Sequence, residues 1–516
     1  MIDDPDRCYA ALCARDPRFD GWFTFGVTTT GIQCRPSCPA RTPSRGNVRF
    51  FATSAAATRA GFRACRRCRP DATPGSPGWD HRADLVGRAV RAIADGEVDR
   101  RGVAGLADLL GYSPRHLHRQ LTAELGVGPR ELARTQRVHT ARTLIEHTPM
   151  PFTEVASAAG FGSLRQFNAT VRDHHDASPT QLRAAARSRA TGPRGLDERD
   201  AALTLRLATR TPFAGDALLA HLATRAVPGL EEHGPGWHRR ALSLPGGGAV
   251  ATLRPGPEAV VATLHLDDPS DLAAAVARLR RMLDLDADPA ATDHDLGEDP
   301  ALGPLVAATP GLRCPASPDP LDACLRAVVG QQVSVAGAAT LMARIVDRCG
   351  TPLRQPIGGI THRLPDAAML AAADLTGLGL PAARAATVQR LAAALADGIL
   401  DLGPGADRAQ DRATLATMPG VGPWTADVLA LRGLRDPDAF PATDLVVRRT
   451  AASLGLPEDA VALRAASRRW RPWRAHAAQH LWHHAATDPP AAAAPLLPAA
   501  RRDLAIASAT RPASIP

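Results

Sequence analysis

The chain has 516 residues, a formal net charge of +9 and a pI near 9.6, so it is long enough for several domains and basic enough to suit a polyanionic partner. No window approaches the ~20 uninterrupted apolar residues of a membrane span, and the acidic start Met1-Ile-Asp-Asp-Pro-Asp lacks an apolar signal core; a cytoplasmic protein with no membrane partner is expected. The sequence contains no lysine, and its nine cysteines, four in a metal pattern and the rest scattered, fit a reducing compartment.

The first feature in chain order is two cysteine pairs, Cys34-x3-Cys38 and Cys65-x2-Cys68. Four thiols in two close pairs are what a tetrahedral zinc needs, and one Zn²⁺ is expected there. Arg35, Arg41, Arg45, Arg63, Arg66, Arg67 and Arg69 crowd the pairs, so the sulfurs sit among guanidinium groups suited to phosphate. Zinc keeps sulfur deprotonated at neutral pH, and an accessible thiolate is a nucleophile. From spacing alone the alternative is a closed zinc that only folds a small domain. Cys8, Cys13, Cys314, Cys324 and Cys349 read as buried or incidental. The strings Asp16-Pro-Arg-Phe-Asp-Gly, Thr28-Thr-Thr-Gly-Ile-Gln-Cys-Arg-Pro-Ser-Cys and Ala60-Gly-Phe-Arg-Ala-Cys-Arg-Arg-Cys-Arg-Pro-Asp closely resemble the N-terminal domain of the Ada DNA-repair regulators. The resemblance implies that Cys34 irreversibly accepts a methyl group from a methylphosphotriester in DNA. It further implies that Cys38, Cys65 and Cys68 complete the zinc site and that Thr30 and Arg41 approach the methylated phosphate.

The next module shows Val103, Leu106, Ala107 and Leu110 at helical spacing. Gly111-Tyr112-Ser113-Pro114 then stops that helix and starts another, with Ser113 as N-cap and Pro114 at the first helical position. The second helix buries Leu117 and Leu121 and turns Arg115, His116, His118 and Arg119 outward, a pattern that fits a major groove. The arrangement recurs: Val155, Ala156 and Ala159 lead to Gly160-Phe161, Ser163 caps the next helix, Phe167 anchors it, and Arg165, Gln166, Asn168 and Arg172 face out. Two such units in tandem, followed by His175-x2-Ser178-Pro179-x2-Leu182, resemble the AraC family. That resemblance implies a transcription regulator with promoter DNA and RNA polymerase as partners.

An Arg/Ser/Gly-rich linker follows. Leu203–Leu207, Ala249–Leu253 and Val260–Leu266 then read as strands and 215–224 and 271–283 as helices, giving a small α+β domain. Residues 289–484 read as almost wholly helical, with Gly/Pro breaks at 350–360, 376–381, 403–405 and 418–423. Their chemistry lies in Met418-Pro-Gly-Val-Gly-Pro-Trp-Thr-Ala-Asp and Phe440-Pro-Ala-Thr-Asp444. Gly420 and Gly422 permit a tight turn between helices whose exposed N–H groups, with Thr425, can meet a DNA phosphate. Standing alone, Gly-x-Gly is an ordinary inter-helix turn. The constellation resembles the helix-hairpin-helix DNA glycosylases, and Ala327-Val-Val-Gly-Gln-Gln-Val-Ser-Val-Ala, Leu429-Ala-Leu-Arg-Gly and Arg469-Trp-Arg-Pro-Trp-Arg narrow it to the AlkA-type 3-methyladenine glycosylases.

That resemblance implies a catalytic Asp444, base-receiving surfaces at Trp424 and Trp482, and Gln332 where relatives carry an apolar wedge. It also implies a monovalent cation held by carbonyls near Ala416, Met418 and Val421. Val428 and Gly215 replace aromatic pocket residues. Bifunctional glycosylase-lyases use a hairpin lysine for Schiff-base chemistry; Trp424 stands there instead, so a monofunctional enzyme is expected. No Pro-Cys-His-Arg segment of an O6-alkylguanine transferase is present.

The expected architecture is multidomain and mainly α. It comprises an Ada-type zinc domain (1–78), tandem helix-turn-helix units (79–188), a linker (189–199), a TATA-binding-protein-like α+β lobe (200–288), a helix-hairpin-helix glycosylase (289–484) and a disordered tail (485–516). The alternative is a transcription regulator whose glycosylase half binds DNA but is inactive or prefers another base. Because the hairpin and Asp444 lie beyond the linker, a fragment from about 200 to 484 is expected to fold and act alone.

Overall fold

A computed structural model describes residues 5–15, 19–65, 67–68, 70, 85–189 and 202–488. The cysteine-rich part is built on a four-stranded sheet that the sequence pattern did not announce, because its strands are only two to four residues long. Helix α1 (Pro5–Cys13) precedes β1 (Thr24–Val27), β2 (Ile32–Cys34), β3 (Val48–Phe51), α2 (Ser54–Arg59) and β4 (Arg63–Ala64), and the sheet order is β3-β1-β2-β4. The pairing of β2 with β4 is parallel. It sets Cys34, the last residue of β2, beside the chain that carries Cys65.

Helices α3 (Leu85–Ala94), α4 (Glu97–Leu110) and α5 (Pro114–Leu125) form the first helix-turn-helix. Gly102, at φ 71°, interrupts α4, which ends at left-handed Gly111. Ser113 caps α5 by accepting the His116 N–H at 3.3 Å, and Leu117 and Leu121 are fully buried. The long α6 (Pro129–His147) leads to α7 (Phe152–Ala158), α8 (Leu164–His175) and α9 (Pro179–Arg189). Ser163 accepts the Gln166 N–H at 3.2 Å and Phe167 is buried. Most of the expected linker and tail lie outside the described residues.

A five-stranded antiparallel sheet follows in the order β5-β9-β8-β7-β6. It comprises β5 (Leu203–Ala208), β6 (Glu231–Gly234), β7 (Trp237–Leu244), β8 (Gly247–Pro255) and β9 (Ala259–Leu266), with α10 (Gly215–Ala223) and α11 (Leu272–Met282) against it. The remainder is helical: α12 (Pro289–Gly297), α13 (Gly303–Ala308), α14 (Pro320–Val329), α15 (Val335–Cys349), α16 (Ala367–Ala372), α17 (Ala382–Ala396), α18 (Arg408–Thr417), α19 (Pro423–Arg432), α20 (Leu445–Ser453), α21 (Ala460–Ala466) and α22 (Arg474–Thr487). One departure from the expected helical run is a hairpin, β10 (Thr351–Ile357) and β11 (Ile360–Arg363). Its turn is Gly358-Gly359, and it buries Leu353 and Ile360 in the glycosylase core.

The parts are joined by more than chain connectivity. One continuous apolar cluster runs from Val138, Leu144, Val155 and Phe167 in the second helix-turn-helix unit to Leu205, Leu253, Leu264 and Leu279 in the α+β lobe. Arg88 and Arg91 of α3 donate to the carbonyls of Gly405 at 2.7 Å and Pro404 at 3.1 Å. Arg63 of β4 pairs with Asp176 at the end of α8.

Candidate functional site

The four sulfurs of Cys34, Cys38, Cys65 and Cys68 all lie within 4.8 Å of one another, although they come from a strand end, a turn and a loop. So close a set of thiols repels shared negative charge. Hydrogen bonds from Cys34 and then Cys68 hold Cys38 as a thiolate with a pKa of about 2, while its bond to Cys38 pushes the Cys34 thiol far up. A divalent cation removes that conflict, and four sulfurs on one centre are the donor set zinc takes. Cys34, Cys38 and Cys68 are buried and Cys65 is half-buried.

The loop between Cys34 and Cys38 is held from below by Asp20. Its carboxylate accepts Ser37 N–H at 3.0 Å and Ser37 Oγ–H at 2.6 Å, and it lies 3.3 Å from Arg35. Around the cluster Thr30, Arg41 and Arg67 are exposed, as a phosphate-facing role requires. Arg45 is placed differently from the expectation. It is half-buried, its guanidinium 5.4 Å from the Phe50 ring and 5.6 Å from Tyr9, and 3.4 Å from Asp6. Arg66 and Arg69 lie outside the described residues.

On the helix-turn-helix faces Arg115, Arg119 and Arg165 are exposed and Asn168 is half-buried. His116 stacks on Tyr112 at 5.0 Å and meets Arg119 at 3.2 Å. Gln166 is exposed, and its Oε1 accepts the Gly162 N–H at 3.3 Å, which leaves its amide NH2 facing outward from the turn.

Asp444 is held by three donors from three separate helices. As N-cap of α20 its Oδ1 accepts the Val447 N–H at 3.0 Å. The same oxygen accepts the Trp482 indole N–H at 3.1 Å, and Oδ2 accepts the Trp424 indole N–H at 2.7 Å. Both tryptophans therefore clamp the carboxylate, a role with no signature in the local sequence. The clamp orients both oxygens and leaves the residue half-buried. Arg225 and Arg432 feel its charge: burial lowers the pKa of Arg225 to about 10 and also lowers that of Arg432, while Asp444 pulls both back up.

The hairpin joins α18 to α19, with Gly420 at φ 86° and Gly422 as N-cap. Thr425 is a correction. It is 2% exposed and its Oγ1 accepts the Gln331 Nε2–H at 2.8 Å, so it braces the hairpin from inside and cannot touch a DNA backbone. Gln331 also donates to Gly420 O at 3.1 Å, a link that no local motif signals. It ties the hairpin to the protruding tip at Gln332, which has φ 53° and is flanked by exposed Val333. The carbonyl of Met418, one of those expected near a cation, accepts the Val421 N–H at 3.1 Å. Trp470 is buried and its indole N–H donates to Asp299 at 2.8 Å, a packing role.

The description "Metal binding domain of Ada" matches residues 7–71, "Helix-turn-helix domain" 106–185, "AlkA N-terminal domain" 204–319 and "HhH-GPD superfamily base excision DNA repair protein" 325–475. A Mycobacterium tuberculosis protein described as a probable bifunctional transcriptional activator/DNA repair enzyme AlkA is 52% identical over 485 residues, 93% of this chain and 97% of its own length. The chain belongs to that family. Two Escherichia coli proteins divide the likeness between them. DNA-3-methyladenine glycosylase 2 is 34% identical over 279 residues, 53% of this chain and 94% of its own length. The bifunctional transcriptional activator/DNA repair enzyme Ada is 39% identical over 137 residues, 27% of this chain and 37% of its own length. The chain thus joins an Ada-type zinc domain, a helix-turn-helix regulator and an AlkA-type glycosylase in one DNA-repair protein. Cys34, Cys38, Cys65 and Cys68 form its Zn²⁺ site. Among the described residues no helix is long and apolar enough to cross a membrane.

Proposed function

We propose that the glycosylase half is a monofunctional N-glycosylase releasing alkylated purines such as 3-methyladenine, and that Cys34 is a stoichiometric acceptor for methyl groups from DNA methylphosphotriesters. The observation that carries the first part is the clamp on Asp444. An N3-methylated adenine already bears positive charge, so the C1′–N bond breaks with its electron pair leaving on a neutral base. The sugar cation left behind needs a fixed negative charge, which two indole N–H groups and a helix N-terminus orient toward it. Water then attacks C1′. The chain contains no lysine to form a Schiff base, which supports hydrolysis without strand cleavage. A base enters such a site only after leaving the stack, at a cost that is lower for weakly paired, damaged bases.

Zinc bound by the four cysteines supplies charge balance for sulfur held as thiolate. The transfer breaks the methyl C–O bond, forms a C–S bond at Cys34 and leaves an ordinary phosphodiester. The helix-turn-helix units bind promoter DNA and bring RNA polymerase to it, in the cytoplasm and at the nucleoid.

The test is base release from methylated duplex DNA by the protein and its Asp444→Asn form, with peptide mapping of the transferred methyl group. Loss of release in Asp444→Asn with DNA binding retained supports the reading; release at the parental rate refutes it. A borohydride-trapped enzyme–DNA adduct would overturn monofunctional chemistry. Recovery of the methyl group on the more exposed Cys65 would move the acceptor from Cys34.

A further inference from the structure

The carboxylate clamp continues into a polar relay that ends on the α+β lobe. Arg432, at the end of α19, has its guanidinium 5.0 Å from the ring centre of Trp482, the same tryptophan that donates to Asp444. Arginine carries donors only. It spends Nη1 on the Pro315 carbonyl and Nη2 on Gln479 Oε1, the latter at 2.8 Å. Gln479 is 3% exposed, and this bond fixes which way its amide points: oxygen toward Arg432, NH2 away. The NH2 lies 3.4 Å from His221 Nδ1. An amide NH2 can only donate, so Nδ1 must accept, and the imidazole proton then sits on Nε2.

Burial, reinforced by the charges of Arg225, Arg432 and Arg326, keeps the pKa of His221 well below 6.5, so the ring is neutral at pH 7. His221 is only half-buried. Arg225, just beyond the end of the same helix, responds to the charge of Asp444. The relay thus links Asp444, through Trp482, Arg432 and Gln479, to a neutral N–H donor whose tautomer is fixed from behind.

We propose that His221 is a specificity-determining residue whose Nε2–H meets the C6 edge of the extruded purine and favours alkylated purines with a C6 carbonyl over those with a C6 amine. The proposal rests on the glycosylase reading above. A 7-methylguanine offers O6 as an acceptor. A 3-methyladenine offers an amine, and two donors facing each other leave both unpaired. A site built to make one hydrogen bond rejects the partner that lacks it far better than an apolar wall separates two shapes. Gln479 and Arg432 act as positioning residues, because neither needs to touch the base.

The test uses the full-length protein and one dimethyl-sulfate-treated duplex, from which 7-methylguanine and 3-methyladenine are released side by side and separated by chromatography. His221→Phe should lower the ratio of their kcat/KM values by about tenfold. Gln479→Leu, which frees the tautomer, should shift the ratio the same way by less. Nitrogen-15 spectra of histidine-labelled protein should show a neutral Nε2–H tautomer for the resonance missing in a His221 variant. An unchanged ratio in both variants, or an Nδ1–H tautomer, overturns the proposal. If His221→Phe fails to fold, Gln479→Leu and the wild-type spectrum decide it. Wild-type protein that releases neither base overturns the glycosylase reading itself, a result distinct from an unchanged ratio.

Discussion

Gly420 and Gly422 flank one turn but answer to different constraints, and alanine at each separates folding from DNA contact. Gly420 sits at φ 86°, where a Cβ would overlap Thr387 Oγ1 and lie 2.9 Å from its Cγ2 and 3.0 Å from its Cβ. Thr387 is buried, and its hydroxyl donates to Ala383 O at 2.9 Å. Rotating that hydroxyl away breaks its bond and leaves the Cβ contact in place. Left-handed backbone costs a non-glycine residue about 1–2 kcal/mol, and overpacking adds about 1–3 kcal/mol. A total of about 2–5 kcal/mol, at roughly 2–4 °C per kcal/mol for a domain of this size, predicts a fall of about 4–20 °C in melting temperature for Gly420→Ala. Gly422 has φ −80° and ψ 175°, and a Cβ added there would have nothing within 4 Å. Alanine there should change stability by less than about 1 kcal/mol. Its methyl group would nevertheless stand at the N-terminus of α19, between the helix and an approaching phosphate. We expect Gly422→Ala to bind duplex DNA about 3–10-fold more weakly, or roughly 0.7–1.4 kcal/mol, at unchanged melting temperature. Calorimetry and fluorescence anisotropy at fixed salt read the two effects separately. Parental DNA affinity in Gly422→Ala would refute phosphate contact at the hairpin, and parental melting in Gly420→Ala would refute the packing argument.

Trp482→Phe keeps an aromatic face but removes one of the three donors to Asp444; a bond to a charged group is worth about 1.5–3 kcal/mol, so single-turnover base release should fall about tenfold or more, and a parental rate would show the clamp to be irrelevant to chemistry. Glu231 joins the α+β lobe to α14 through Arg326 at 2.7 Å and Arg240 at 3.0 Å; burial opposes its ionisation, but the two arginines win and hold its pKa at about 2. Its folded pKa lies below the unfolded value, so its contribution is complete above about pH 4.5 and is lost as pH falls toward 2. Glu231→Gln should therefore cost up to about 3–5 kcal/mol at pH 7 and progressively less in denaturant titrations run toward pH 2; a penalty constant with pH would exclude this linkage. A fragment beginning near residue 200 uncovers the lobe's side of the cluster shared with Val138, Leu144 and Phe167, so it should melt several degrees below the full chain and bind an apolar dye; identical melting would show that this packing adds nothing.

The parts of the molecule that sequence revealed are those set by local rules. Ser113 and Ser163 cap their helices because a hydroxyl needs only the amide three residues ahead. Strand β7 escaped because its inward positions include His238 and Arg240, polar residues that break the apolar alternation; Arg240 is paired with Glu231 on the neighbouring strand β6. The β10–β11 hairpin escaped because Pro352 and Pro356 read as helix breaks, although Leu353 and Ile360 supply its buried face. The position of Asp444 followed from a local motif. Its clamp did not, since Trp482 lies 38 residues further on and only the packing of α22 against α20 brings it back. Thr425 was misplaced because spacing cannot tell an outward polar side chain from one already bonded inside. His221 left no signal, because its tautomer depends on Gln479 and Arg432, far away in the chain.

The zinc domain is tied to the glycosylase half through a residue that also grips the Cys34–Cys38 loop. Asp20 holds Ser37 and Arg35 with its carboxylate, and its own carbonyl accepts Arg210 Nη2–H at 2.6 Å from the α+β lobe. Arg210 is 6% exposed and donates a second bond, at 2.8 Å, to Asp286 O. A guanidinium buried to that degree has no water to replace a lost partner. Moving the Cys34–Cys38 loop relative to the lobe therefore either carries Arg210 with it or breaks one of the bonds of a buried guanidinium. Arg210 directly precedes the loop that leads into α10, the helix that carries His221. The Cys34–Cys38 loop and the helix that carries His221 are thus joined through Asp20, Arg210 and the short chain segment between Arg210 and α10, while one apolar cluster joins the second helix-turn-helix unit to the same lobe.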